Sequence, residues 1–287
     1  MKLPITVLIA VKNEEKNIGK CLDALANVEH IFILDSGSSD KTTEIARRKG
    51  AEVVQFQYCG GYPKKRQWAL QTLEIKTPWV FLLDADEVVP QKLWDEIEKT
   101  ISSNDGPVAY LITKGFHFLS KKFRYGGFSH SAILLFKRDT VCFEHVLDEP
   151  ESAPDMEIHE RLIVDGKVGR LNAPLIHEDF KGLEAYIARH NLYSTWEANI
   201  RYKFLTTGHW GESSIKPNLC GNAQERRRFL KEFAVRIPLE QYLWFCYHYF
   251  LKLGFLEGRS GLIASQIRLS YIAQVRAKLY ELRIRNV

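Results

Sequence analysis

Residues 79–88 read WVFLLDADEV. Five apolar residues end at Asp84, and a second acid, Asp86, follows one residue later. An apolar run without polar alternation is the pattern of a strand covered on both faces, as in a parallel sheet flanked by helices. The pattern recurs upstream. Apolar runs at 5–11, 31–34 and 53–56 alternate with helical spacings at 14–26, 39–49 and 64–73, and a further helix is predicted over 91–101. Alternating strands and amphipathic helices predict an α/β fold.

Beyond residue 107 the character changes. Short strand-like pieces at 108–113, 132–136, 162–164 and 171–176 are separated by Gly-rich or charged loops, which predicts mixed pairing. A long helix is expected over 182–205. Residues 222–282 read as helical, with breaks at Pro238 and near 258–261. The reading is thus a mixed sheet flanked by helices with a helical C-terminal extension, divided as a catalytic domain over 1–190 and a helical region over 191–287.

Composition fits this frame. The chain has 287 residues, 45% hydrophobic and 26% charged, enough to bury a large core and too apolar for disorder. Cys21, Cys59, Cys142, Cys220 and Cys246 are scattered and odd in number, with no C-x-x-C pair, so neither a zinc site nor a disulfide framework is expected. A reducing cytoplasm is the expected compartment. The first residues, MKLPITVLIAVKNEE, turn acidic too soon for a signal peptide. No window holds about 18 uncharged apolar residues, so no spanning helix is expected. From Asn191 onward fifteen Lys and Arg stand against seven Asp and Glu, a basic tail on a mildly acidic body.

In parallel sheets, ligands bind beyond the carboxyl ends of the strands. Strand one ends in Lys12, Asn13 and Glu14. Strand two ends in LDSGSSDKT, with Asp35 flanked by small residues that allow a ligand to approach the backbone. Such a carboxylate suits ribose hydroxyls or a base N–H, whereas Ser39 and Asp40 read as caps for the next helix. Asp84 and Asp86 lie on the same rim. Two carboxylates so close repel unless a cation intervenes, and a hard divalent ion, Mg²⁺ or Mn²⁺, would also bridge the phosphates of a nucleotide. Lys64, Lys65 and Arg66 open a helix, where the dipole disfavours cations, so an anion is expected nearby: a diphosphate or an acidic side chain.

Taken together, ITVLIAVKNEEKNIGKCLDAL, ILDSGSSDKT, GGYPKKRQWAL and VFLLDADEVV resemble glycosyltransferase family 2. The likeness is closest to bacterial lipopolysaccharide-core and exopolysaccharide members. It continues through EIHERLIVDGKVGRLNAPLIHEDFKGLEAYIARHNLYSTWEA. The resemblance implies a GT-A-like (Rossmann-like) fold and inverting, metal-assisted sugar transfer from a nucleotide diphosphate sugar, with a UDP-sugar the first expectation and a hexose the expected cargo. It implies a glycan or lipid-linked acceptor. Ala10, Asn13 and Glu14 would line the nucleotide pocket, Asp35 would hold the base or ribose, and Lys65 would approach the diphosphate. Asp84 and Asp86 match the D-x-D, with Asp86 the direct metal ligand.

Inversion needs a general base for the acceptor hydroxyl. Glu160, in IHERL, matches the family's acidic position and is the expected base, ahead of Asp148, Glu149, Glu178 and Asp179. His177, after an apolar strand, is a further candidate metal ligand. One departure stands out: Leu134 occupies a position where many relatives carry Arg, leaving Lys137 or Arg138 as substitutes.

The tail combines YLWFCYHYFLKLGF (242–255) with Arg268, Arg276 and Lys278 among Leu, Ile and Tyr. That suits an anionic membrane surface or a contact between copies, and places the protein peripherally on the cytoplasmic face of the inner membrane. The basic residues accompany bulky apolar ones and no recognised nucleic-acid module is present, so nucleic acid is not an expected partner. Two alternatives remain at this level. One is a phosphohydrolase of the haloacid dehalogenase type, whose nucleophilic Asp also follows an apolar strand, although DADEV lies on the fourth strand here. The other is a sugar-nucleotide-binding protein without catalysis.

Overall fold

The computed structural model describes residues 2–59, 63–103, 105–143, 162–178, 181–208, 217–221 and 223–285. The chain divides into two compact units. The first spans residues 1–122 with later segments up to Lys181. The second holds residues 123–128 and everything from Gly182 on.

In the first unit, β1 (Leu3–Val11), β2 (Val28–Asp35), β3 (Glu52–Gln55) and β4 (Trp79–Asp84) run parallel in the order β3-β2-β1-β4. Ile5, Val7, Leu8 and Ile9 of β1 are fully buried, as are Val80, Phe81 and Leu83 of β4, which is why both strands read as unbroken apolar runs. Thr6 breaks the run without cost, because its hydroxyl pairs with Thr77 Oγ1 at 2.7 Å. The connecting helices are α1 (Ile18–Asp23), α2 (Thr42–Arg48) and α3 (Lys65–Thr72), followed by α4 (Gln91–Ile101). The apolar stripe of α4, Leu93, Trp94 and Ile97, is buried, with Trp94 edge-on to Phe81 at 6.1 Å.

The expected mixed pairing follows. After the short β5 (Glu87–Val88) come β6 (Ala109–Phe118), β7 (Lys121–Lys122) and β8 (His130–Lys137). Strand β8 lies antiparallel to both β4 and β6. Three-residue strands follow: β9 (Val141–Phe143), β10 (Leu162–Val164), β11 (Val168–Arg170) and β12 (Leu175–His177). Strand β12 runs parallel to β6, and β5 closes the sheet antiparallel to β12. Two reversals separate β4 from β6, so β6 and β12 point the same way as β4. Asp84 and His177 therefore end their strands on the same rim.

The second unit is helical: α5 (Leu183–Thr207), α6 (Ala223–Arg236), α7 (Glu240–Cys246) and α8 (Arg259–Arg285). A π-helical turn over Tyr247–Leu251 and a 3₁₀ turn over Gly254–Glu257 join the last two. The breaks fall where the sequence placed them, after Pro238 and at Gly258, whose φ of 65° and ψ of −142° suit glycine alone. Helices α5 and α8 pack through Ala198, Tyr271, Ile272, Val275 and Leu279. Between them Arg201 is buried, donating to Glu197 (2.6 Å) and Glu240 (2.6 Å), while Tyr271 donates to Glu197 at 2.5 Å. No helix among the described residues is long and apolar enough to cross a membrane.

Candidate active site

The register of β1 sets the site level. Ala10 sits between Leu34 of β2 and Asp84 of β4, and Val11 lies beside Asp35. The chain then leaves the sheet at Asn13, in the left-handed region at φ 55° that Asn tolerates better than most residues. Asn13 ties its own loop to the one after β2. Its N–H donates to Ser38 Oγ (2.9 Å), and its Oδ1 accepts from the Ser39 N–H (2.8 Å). Glu14 accepts from Asn17 at 2.8 Å and pairs with Lys181. Asp35 is 1% exposed; its carboxylate accepts from the Ser38 hydroxyl (2.5 Å), the Ser38 N–H (3.1 Å) and Gln55 (2.9 Å). It fixes the loop over 36–40, and Asp40 accepts from the Thr42 N–H at 3.0 Å where α2 begins. Lys65 is buried, with its Nζ 3.3 Å from the Val11 carbonyl.

At the end of β4 the acids separate. Asp84 pairs with Arg66 of α3 and with Lys114 of β6 at 2.5 Å. The anion expected near Lys64–Arg66 is, for Arg66, this carboxylate. Burial opposes the charge on Asp84, but Lys114 and Arg66 outweigh it and hold the carboxyl well below the usual range. The backbone then turns through Ala85 and Asp86 into β5, which brings Glu87 opposite His177. Glu87 is fully buried; it accepts the Asp84 N–H at 2.9 Å and pairs with Lys114 at 2.7 Å. His177 Nδ1 lies 3.5 Å from Asp86 and 3.4 Å from Glu87.

Among the described residues, no lysine or arginine pairs with Asp86 as Lys114 pairs with Asp84. Burial, reinforced by Asp84, Glu87 and Glu14, pushes its carboxyl up to about 6 against the pull of His177. Burial would keep His177 neutral, yet the neighbouring carboxylates of Glu87 and Asp86 push it up to about 9. One ligand atom each from Asp84, Asp86 and His177 falls within 4.8 Å of the others. Two carboxylate oxygens and an imidazole nitrogen form a donor set that a divalent cation of the Mg²⁺ or Mn²⁺ type accepts, so the residues fit the expected metal.

The structure thus brings Asp84, Asp86 and His177 together and holds Asn13, Glu14, Asp35 and Lys65 on the same rim. Glu160, Asp148, Glu149 and Asp179 lie outside the described residues; Glu178 donates its N–H to the Asp86 carbonyl at 3.1 Å. Lys137 and Arg138 do not stand in for an arginine at Leu134. Lys137 pairs with Trp79 at the start of β4, the opposite end of the strand from Asp84, and Arg138 donates to the Ile75 carbonyl. Leu134 itself is a core residue, 3% exposed. Lys114, Glu87 and Lys181 were missed as site residues. The only available signal for Lys114 was one lysine inside an otherwise largely apolar strand.

Residues 6–147 match the model of glycosyl transferase family 2. The chain belongs to that family. It is therefore a glycosyltransferase, and the phosphohydrolase and non-catalytic alternatives fall away. Its sheet order is the GT-A-like arrangement that the motifs implied. The lipopolysaccharide core biosynthesis glycosyltransferase LpsC of Rhizobium meliloti is 25% identical over 205 residues, covering 69% of this glycosyltransferase and 72% of the relative. An uncharacterised glycosyltransferase of Rickettsia typhi is 24% identical across 98% of this chain and 88% of its own. A crystal structure of glucosyl-3-phosphoglycerate synthase from Mycobacterium tuberculosis, with Mn²⁺, UDP and glucosyl-3-phosphoglycerate, aligns at 25% identity and a TM-score of 0.31. That overlap covers 39% of this glycosyltransferase and 43% of the synthase.

Proposed function

We propose that this glycosyltransferase moves a hexose, with inversion, from a nucleotide diphosphate sugar to a hydroxyl of a lipopolysaccharide-core or other lipid-linked glycan, using a divalent metal. The observation that carries the reading is the convergence of Asp84, Asp86 and His177 on the rim that also holds Asn13 and Asp35. The name of the Rhizobium meliloti relative supports the acceptor class.

Asp86 and His177 would hold the metal, with Asp84 completing the set. When bound, the metal supplies positive charge to the diphosphate as the nucleoside diphosphate departs. Lys114 and Arg66 keep Asp84 ionised and fixed in direction. Ala10, Asn13, Glu14 and Asp35 form the floor for the nucleoside, and Lys65, its Nζ 3.3 Å from the Val11 carbonyl at the end of β1, would meet a phosphate oxygen. Glu160 is the proposed base. It takes the proton of the acceptor hydroxyl while that oxygen attacks the anomeric carbon and the bond to the nucleoside diphosphate breaks.

Incubation with Mn²⁺, a panel of nucleotide sugars headed by UDP-sugars, and a lipopolysaccharide-core acceptor tests this directly. Acceptor-dependent release of a nucleoside diphosphate is the expected result. Release that is indifferent to metal or to every glycan acceptor would overturn the metal or the acceptor assignment respectively. Glu160→Gln is expected to bind donor normally and stop transfer; normal turnover would move the base elsewhere.

A further inference from the structure

Between α6 and α8 the second unit turns apolar side chains outward. Over residues 236–259, Leu239, Leu243, Phe250, Leu251, Leu253 and Leu256 are all exposed, Leu251 by 76%. Ring contacts join the stretch: Tyr249 meets Phe250 at 5.1 Å and Phe255 at 6.3 Å, and Phe245 meets Phe250 at 6.3 Å. A patch of this kind marks an interaction surface. Leu239 and Leu253 sharpen the point. Both hold left-handed backbone, φ 62° and 58°, where glycine is the default, and both side chains are exposed. The fold buries leucine only in part at either position, Leu239 remaining 62% and Leu253 42% exposed, so these side chains answer in part to something outside it.

Charge identifies what that is. The stretch contains two acids, and both are turned inward. Glu240 is 2% exposed and accepts from Arg201 and Trp244. Glu257 is 5% exposed and accepts the N–H groups of Arg124 and Tyr125 at 2.6 and 2.8 Å. Its three Lys and Arg residues, Arg236, Lys252 and Arg259, are exposed. The outward surface therefore joins leucine and aromatic side chains to positive charge and presents no exposed carboxylate. A symmetric contact with a second copy would set like patch on like and bring these cations together. An anionic bilayer satisfies both the apolar and the charged parts.

We propose that the surface of residues 236–259 docks on an anionic lipid bilayer, leucines and Phe250 at the headgroup–acyl boundary and Arg236, Lys252 and Arg259 at the lipid phosphates. The mode is interfacial, with an insertion depth of roughly 5–10 Å. It is independent of the sugar-transfer chemistry and does not require it.

Co-sedimentation of the full chain with vesicles of phosphatidylcholine alone, and of phosphatidylcholine mixed with phosphatidylglycerol, tests the proposal. Binding is expected only to the mixed vesicles and is expected to weaken as salt rises. Lys252→Gln should weaken it about five-fold. Leu251→Asp should weaken it by about ten-fold or more, with the thermal melt of the free protein unchanged because the side chain is exposed. If Leu251→Asp misfolds, Leu256→Asp serves the same purpose. Failure to bind the mixed vesicles overturns the proposal, as does binding that both substitutions leave unchanged. Self-association that Leu251→Asp abolishes, with no vesicle binding, would assign the patch to a second copy instead.

Discussion

Asp84 faces Lys114 and Arg66, whereas Asp86 faces His177 and three acids. The two carboxylates are one residue apart, yet the first is held ionised and the second is pushed toward its neutral form. Lys114 is the residue that separates them. It is 7% exposed, and Asp84 and Glu87 outweigh the cost of its burial and keep it protonated. Lys114→Met should leave Glu87 buried without its strongest partner. Removing one member of a buried pair costs about 3–5 kcal/mol. A urea unfolding midpoint well below that of the parent protein is expected, and an unchanged midpoint would show that Lys114 does not hold the acids together. The D-x-D was legible because both acids follow a buried strand. Lys114 was not, because thirty positions separate it from Asp84 and no local spacing ties them.

At the scale of elements, the parallel half was legible and the antiparallel half only partly so. Strands β1 and β4 and helix α4 carry their burial in local periodicity. The same holds for the breaks at Pro238 and Gly258. Strands β5 and β7, each two residues long, carry no periodicity; β7 exists as the return of a tight hairpin with β6, and β5 through a partner distant in the chain, Glu87 opposite His177. For that reason the acids at 84–87 read as a free rim, whereas the chain folds back and makes Glu87 fully buried. Gly115 reports on the packing that allows this. A Cβ there would stand 2.8 Å from the Leu175 carbonyl oxygen. Gly115→Ala is expected to destabilise the protein by about 1–3 kcal/mol through overpacking of β6 against β12, read as a lowered melting temperature. An unaltered melt would show that β12 moves aside freely.

At the scale of the whole molecule, two units with separate cores share one chain, and the helical one has its own response to pH. Burial holds His190 and His248 below the ordinary histidine value of 6.5, while the Nδ1 of His248 lies 2.6 Å from the Gly126 carbonyl and donates to it. Their folded pKa values lie below the unfolded ones, so the unfolded chain binds more protons in that interval. The stability they contribute is fully present above the unfolded value and is lost as the pH falls through the folded ones. His177 in the first unit acts oppositely: raised to about 9, its contribution is present below 6.5 and is lost as the pH rises through 9. On going from about pH 7.5 to pH 5.5 the urea midpoint of His248→Gln should therefore shift upward relative to that of the parent protein. A constant difference between the two midpoints would remove His248 from the explanation.

Whether Asp86 holds a divalent cation is settled most directly by calorimetric titration of Mn²⁺ into the parent protein and into Asp86→Ala, each with and without UDP. Mn²⁺ is expected to bind the parent protein and to bind more tightly when UDP is present. In Asp86→Ala the affinity should fall by at least about ten-fold and the dependence on UDP should vanish. Equal Mn²⁺ affinity in the two proteins, with the same response to UDP, would contradict a metal–diphosphate site at Asp84, Asp86 and His177.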